Sequence, residues 1–209
     1  MAEMDTRLIE RMLDVIETDI VPLTRRGVAE GNKLFGAAIL GADGALVVAE
    51  TNNETENPLW HGEMHAIRRF FQIDANERPE PADCLFLATH EPCSLCLSGI
   101  TWSGFRNFHY LFRYEDSRDA FAIPYDIEIL RAVYAVPDPD REAVPTDRPL
   151  YNRRNKYWTS HALLDAIAAQ PDEATRTRLM TRVERIRETY AALSATYQAD
   201  KGAKGIPHA

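Results

Sequence analysis

The chain has 209 residues, 45% of them apolar and 27% charged, and its 24 Lys+Arg against 32 Asp+Glu give a net charge of −8. A chain this long buries a substantial core without staples, and its acidic balance offers no general attraction to nucleic acid or anionic lipid. It contains no apolar run of about 18 residues, and the acidic opening MAEMDTRLIE lacks the basic-then-apolar layout of a secretory signal, so a cytoplasmic protein with no membrane partner is expected. Three cysteines, Cys84, Cys93 and Cys96, are too few for a disulfide framework. The close pair raises metal binding or thiol chemistry instead.

From Asp5 to about Glu30, Leu8, Ile9, Met12, Leu13, Val15, Ile16 and Ile20 recur at helical spacing, with Pro22 expected to kink or interrupt the helix. LFGAAIL at 34–40, GADG at 41–44 and ALVVAE at 45–50 read as a hairpin. Asn57-Pro58 has the form of an N-cap followed by a first-turn proline, predicting a helix to about Ile73. CLFLAT at 84–89 reads as a buried strand, EPCSLCLSGITWSG as a helix running from Pro92 to Gly104, and NFHYLFR at 107–113 as the next strand. Alternating strands and helices argue for a layered α/β domain around a mixed sheet. Ile127–Tyr134 reads as a further helix, 136–156 as a proline-rich, charged strap, and HALLDAIAA and Asp172–Ala199 as helical, before a weak ending KGAKGIPHA. The expected division is a main α/β unit at 1–135 and an extension at 136–209 packed on the same domain.

The strongest chemical signal joins His61-Gly62-Glu63 to Pro92-Cys93-Ser94-Leu95-Cys96. A C-x-x-C pair at a helix start turns both sulfurs toward one ion, and the helix dipole favours the thiolate. With His61 as third ligand, one zinc per chain would keep an open fourth position, as a catalytic zinc requires. Zinc lowers the pKa of its water, making hydroxide available near neutral pH, and Glu63 would shuttle the proton. Plainer readings are a redox-active or buried C-x-x-C pair, or a closed structural zinc with His65 or His90 as fourth ligand. A peptidase H-E-x-x-H is excluded because Gly62 fills the Glu position of HGEMH. On an ideal helix His61 and Glu63 lie about 200° apart, so they can share a site only across the helix's N-terminal end.

Leu34-Phe35-Gly36-Ala37, NPLWHGEMHAI and EPCSLCLSGITW together resemble the motifs of the cytidine and deoxycytidylate deaminase superfamily, especially its bacterial guanine deaminase and transfer-RNA adenosine deaminase branch. The resemblance spans roughly 5–135. It implies a three-layer α/β/α sandwich with a mostly five-stranded mixed sheet, His61, Cys93 and Cys96 as zinc ligands, Glu63 as the catalytic glutamate, and a homodimer. Relatives commonly carry Thr-Ala before the first ligand and Ala within the H-x-E triplet, where this chain has Leu59-Trp60 and Gly62. Trp60 is therefore a wall of the site or a packing residue under the loop. The resemblance also implies that an asparagine before the zinc helix contacts the ring; Asn53 is the choice and Asn52 the near alternative. Phe35 and Trp102 are weighed as base contacts against core residues, and Asp126 as a reader of ring nitrogens against a cap or solvated residue.

The expected reaction is hydrolytic deamination of a planar nitrogen heterocycle, with attack by zinc-bound hydroxide and release of ammonia. Guanine or a related purine or triazine comes first, because YEDSRDAFAIPYDIEIL at 114–130 resembles guanine deaminases more than the transfer-RNA branch. The alternatives are transfer-RNA adenosine deamination, for which the residues from Tyr151 to Trp158 offer a local stacking and phosphate patch, cytosine or cytidine deamination, and a noncatalytic zinc-binding assembly module.

Overall fold

The computed structural model describes residues 4–134 and 149–200; most of the expected strap at 136–156 and the ending KGAKGIPHA lie outside them. The first elements are α1 (Thr6–Val15), a π-helical turn (Ile16–Ile20) and α2 (Val21–Ala29), which run on without a break. Pro22 sits in the first turn of α2, directly after the π turn, in which the Val21 N–H reaches back to the Ile16 carbonyl. A proline ring clashes with the carbonyl four residues earlier, and the wider π turn accommodates it without ending the helix.

The strands are β1 (Gly36–Leu40), β2 (Leu46–Thr51), β3 (Leu85–His90), β4 (Asn107–Phe112) and β5 (Thr159–Ala162), in the order β2-β1-β3-β4-β5. β1 is antiparallel to both β2 and β3, whereas β3, β4 and β5 are mutually parallel. The expected hairpin forms, with Gly44 at φ +81° in its turn and a register shift between Ile39 and Leu40. β5 comes from HALLDAIAA and the two residues before it: His161 and Ala162 pair with β4, and helix α7 (Leu163–Ala168) begins only at Leu163. Four residues are too short a run for a strand period to show.

Side-chain alternation along the sheet builds the three layers. Ala38, Leu40, Leu87 and Leu111 pack with the N-terminal helices, α7 and the long α8 (Glu173–Asp200). Ala37, Ile39, Phe86, Ala88, Phe108 and Tyr110 face the opposite way, onto α3 (Gly62–Phe71) and α4 (Ser94–Trp102). Two apolar cores back to back across one sheet are what period-2 burial on both faces produces. Two further helices, α5 (Tyr114–Asp119) and α6 (Tyr125–Tyr134), follow β4. Between them Ala122 takes a left-handed φ of 57°, held by Gln198 of α8, whose Nε2 donates to the Phe121 and Ala122 carbonyls.

Two helix starts differ from expectation. Asn57-Pro58 opens a turn and not α3: the Asn57 side chain accepts from the Leu59 N–H, the Trp60 N–H donates to the Asn57 carbonyl, and the Asn53 N–H donates to the Trp60 carbonyl. The helix begins four residues later, where Asn52 Oδ1 accepts the Gly62 N–H at 2.6 Å. α4 likewise begins after Pro92, with Cys93 as its N-cap residue.

Candidate active site

β1 and β3 are neighbours, so the N-termini of α3 and α4 meet above the sheet. His61 is the N-cap residue of α3 and Cys93 that of α4, while Cys96 lies in the first turn of α4. Cys93 Sγ is 3.4 Å from His61 Nδ1 and 3.5 Å from Cys96 Sγ, and Cys96 Sγ is 3.8 Å from His61 Nδ1. Bonds of about 2.3 Å to sulfur and 2.0 Å to nitrogen at tetrahedral angles place such donors about 3.5–3.8 Å apart, so the three fit a zinc ion and leave a fourth position. Among the described residues these three are the group able to hold a metal. His65 Nδ1 faces the Thr51 carbonyl and Glu50, and His90 is boxed by Phe35, Phe112, Phe121 and Tyr190, so neither joins as a fourth ligand.

The electrostatics suit a cation. Burial pulls the His61 imidazole down, but the hydrogen bond and charge of Cys93 raise it to about 9. Cys93 is held well below a normal thiol, first by its hydrogen bond from Cys96 and against burial, while burial and the neighbouring Cys93 push Cys96 up. One thiolate is thus already stabilised over two helix N-termini. Glu63, buried in the first turn of α3, is pushed up to about 7 by burial and then by the charge of Cys93. Asp126, in the first turn of α6, faces the same cluster; burial and then Cys93 push it up to about 8, against the opposing charges of His61 and Lys33.

Behind the histidine lies a buried ion pair that the sequence reading missed. Lys33 Nζ meets Glu54 Oε1 at 2.8 Å, the Lys33 N–H and Asn52 Nδ2 donate to Glu54 Oε2, and Glu54 Oε1 stands 3.9 Å from His61 Nε2. A lysine and a glutamate in polar loops carry no periodic signal of burial; only Asn52, the weighed alternative to Asn53, hinted at this corner.

The structure brings His61, Glu63, Cys93, Cys96 and Asp126 together. The other candidates have the following surroundings. Asn53 donates from Nδ2 to Glu56 at 2.6 Å on the outer turn, whereas Asn52 is buried and spends both ends of its amide on Gly62 and Glu54. Phe35 is buried edge-on against His90 at 4.6 Å. Trp60 packs under the Arg68 guanidinium, 5.0 Å from its ring. Trp102 is 91% exposed at the end of α4 remote from the cysteines, so neither a core position nor contact with the cluster describes it.

Residues 18–112 match the family model of the cytidine and deoxycytidylate deaminase zinc-binding region. Over that stretch, somewhat less than half of its length, the chain is similar to the cytidine and deoxycytidylate deaminases. The match to a zinc-binding region and the His/Cys/Cys group just described support one zinc per chain. A guanine deaminase of Bacillus subtilis (strain 168) is 32% identical to this chain over 88 residues, which are 41% of this chain and 54% of the relative. The match thus spans about half of that curated relative's length. A point mutant of NE0047 in complex with 8-azaguanine shares the fold at a TM-score of 0.55 and 20% identity, over 92% of this chain and 84% of the other. NE0047 in complex with 2,6-diaminopurine gives a TM-score of 0.50 and 19% identity, over 93% and 83%. No helix among the described residues is long and apolar enough to cross a membrane.

Proposed function

We propose that this deaminase hydrolyses the amine from a small planar nitrogen heterocycle, guanine or a related purine or triazine base first, and releases ammonia. The observation that carries the reading is the buried Glu63 carboxyl beside a three-ligand metal group with a free tetrahedral position. The guanine deaminase relative supports a purine substrate.

When bound, zinc supplies Lewis-acid activation of water. The protein's own groups do the rest. A carbon–oxygen bond forms at the ring carbon, the carbon–nitrogen bond breaks, and Glu63 takes the proton of the attacking water and delivers it to the departing amine. A carboxyl raised toward neutrality by burial suits that two-way traffic. Asp126, across the cluster on α6, presents carboxyl oxygens to the ring and selects an amidine face by hydrogen bonding. Glu54 and Lys33 brace the outer side of the His61 ring.

Residues 136–209 are read as an extension of the same domain, which the pairing of β5 with β4 supports. A homodimer in the cytoplasm is the expected assembly. Leu59, Phe71 and Trp102, all exposed on the layer of α3 and α4, favour an apolar contact there.

The deciding experiment measures ammonia release by the zinc-loaded protein from guanine, isoguanine, 8-oxoguanine, ammeline, adenine, cytosine, cytidine, a pterin and a folded transfer RNA, with Glu63→Gln as the blank. Release from a free purine or triazine by the wild type alone is the expected result. Release from transfer RNA alone, or equal release by both proteins, overturns the reading.

A further inference from the structure

Glu91 stands directly before Pro92-Cys93, and its side chain is only 1% exposed. Such a carboxylate is tolerable only where donors meet it. Tyr151 Oη donates to its Oε1 at 2.5 Å, Arg153 Nη2 donates to the same oxygen at 3.2 Å, and the Tyr114 N–H donates to Oε2 at 3.3 Å. The backbone of the turn is tied down in parallel: the Glu91 N–H donates to the Phe112 carbonyl at 2.8 Å and Tyr114 Oη donates to the Pro92 carbonyl at 2.5 Å. Tyr151 also packs its ring against Tyr114 and Trp158, and Trp158 Nε1 donates to Thr101 of α4 at 2.8 Å. The turn that carries a metal ligand is therefore gripped by a stretch of chain about 60 residues downstream.

We propose that Tyr151 and Arg153 are positioning residues for the zinc, acting through Glu91 to hold the turn that sets Cys93 against His61 and Cys96. Neither touches a ligand atom; each fixes a carboxylate that fixes the turn. Arg153 is half exposed and its ion pair is screened, so the larger share falls to the Tyr151 hydroxyl. The proposal does not depend on which base is deaminated, and its readouts use no turnover, so its failure and that of the substrate reading are distinguishable.

The test compares wild type, Tyr151→Phe and Tyr151→Phe/Arg153→Gln as purified zinc proteins. Zinc release to a chromogenic chelator is followed over time, the thiolate-to-cobalt charge-transfer band is recorded after cobalt substitution, and thermal unfolding is measured alongside. Supporting partners of metal ligands are worth about 10–100-fold in metal retention, and the expected result lies at the lower end: about 10-fold faster release in Tyr151→Phe and more in the double variant, with a displaced cobalt band. Wild-type release and an unchanged band in Tyr151→Phe overturn the proposal. So does faster release that merely tracks lowered thermal stability while the cobalt spectrum stays fixed. Tyr151→Phe removes one oxygen and keeps the ring, so it decides the matter even where the double variant fails to fold.

Discussion

The Gly62→Ala substitution would bring the H-x-E triplet to the form common among relatives, and motif resemblance alone makes it look harmless. The structure says otherwise. A methyl built on Gly62 lies 2.7 Å from Gly36 Cα and 3.0 Å from both Gly36 N and Gly36 C, and all three are backbone atoms that cannot swing aside. Gly36 has no room to retreat, because a methyl there would meet Ile20 at 2.4 Å, and its N–H and carbonyl are both bonded to the Thr89 hydroxyl. The two glycines are the contact at which the first turn of α3 rests on β1.

Overpacking of this kind costs about 1–3 kcal/mol, and the better helix propensity of alanine returns at most about 1 kcal/mol. A net loss of about 1–2 kcal/mol lowers the melting temperature of a domain this size by about 2–8 °C. Because Gly62 lies between His61 and Glu63, the same displacement tilts both the metal ligand and the carboxyl proposed above to carry the proton. Thermal or urea unfolding of the apo and zinc forms, with metal content by atomic absorption, measures both effects. A variant as stable as wild type and fully loaded with zinc would refute the packing argument.

Three further outcomes follow from the site and core. Glu63→Gln is expected to retain one zinc per chain and lose turnover by at least about 100-fold, whereas Cys93→Ala loses the metal itself, so metal content and ammonia release separate the two roles. Glu54→Gln leaves the Lys33 ammonium buried without its counter-ion and is expected to cost about 3–5 kcal/mol in urea unfolding, while Lys33→Met/Glu54→Leu recovers much of it; a loss below about 1 kcal/mol in the single variant contradicts the burial argument. Burial lowers both His90 and His109 from 6.5 to about 3, so the unfolded chain binds their protons first as pH falls through 6.5, and stability declines from there to about pH 3. Each contributes about 2 kcal/mol of that loss at pH 5, and His90→Phe, which fits its aromatic box, should flatten the slope of unfolding free energy against pH.

What the sequence disclosed depended on whether the signal was local. The zinc ligands sit in two short motifs, and the 200° argument already required His61 and Glu63 to meet across a helix end, where the structure has His61 as the cap of α3. The hairpin, β3 and β4 were equally legible, each being an apolar run between turn residues. The start of α3 lies four residues beyond the expected one because Asn57-Pro58 is as good an opening for a turn as for a helix, and the bond from the Gly62 N–H to Asn52 Oδ1 falls at the later position. β5 was invisible for a different reason: four residues become a strand only through the neighbour they find, and that neighbour lies about 50 residues upstream.

The buried charges show the same limit in its strongest form. Glu54 and Glu91 look in sequence like any loop carboxylate, yet both are sealed behind the metal group, one balanced by Lys33 and the other by Arg153 and Tyr151. Their burial follows from convergence: the chain entering β1, the loop after β2, the turn after β3 and the chain before β5 crowd the same end of the sheet, and a carboxylate is kept there only because a donor from another of these segments meets it. A motif can therefore name the atoms that would touch zinc, while the groups that hold those atoms in place are set by the order of the strands.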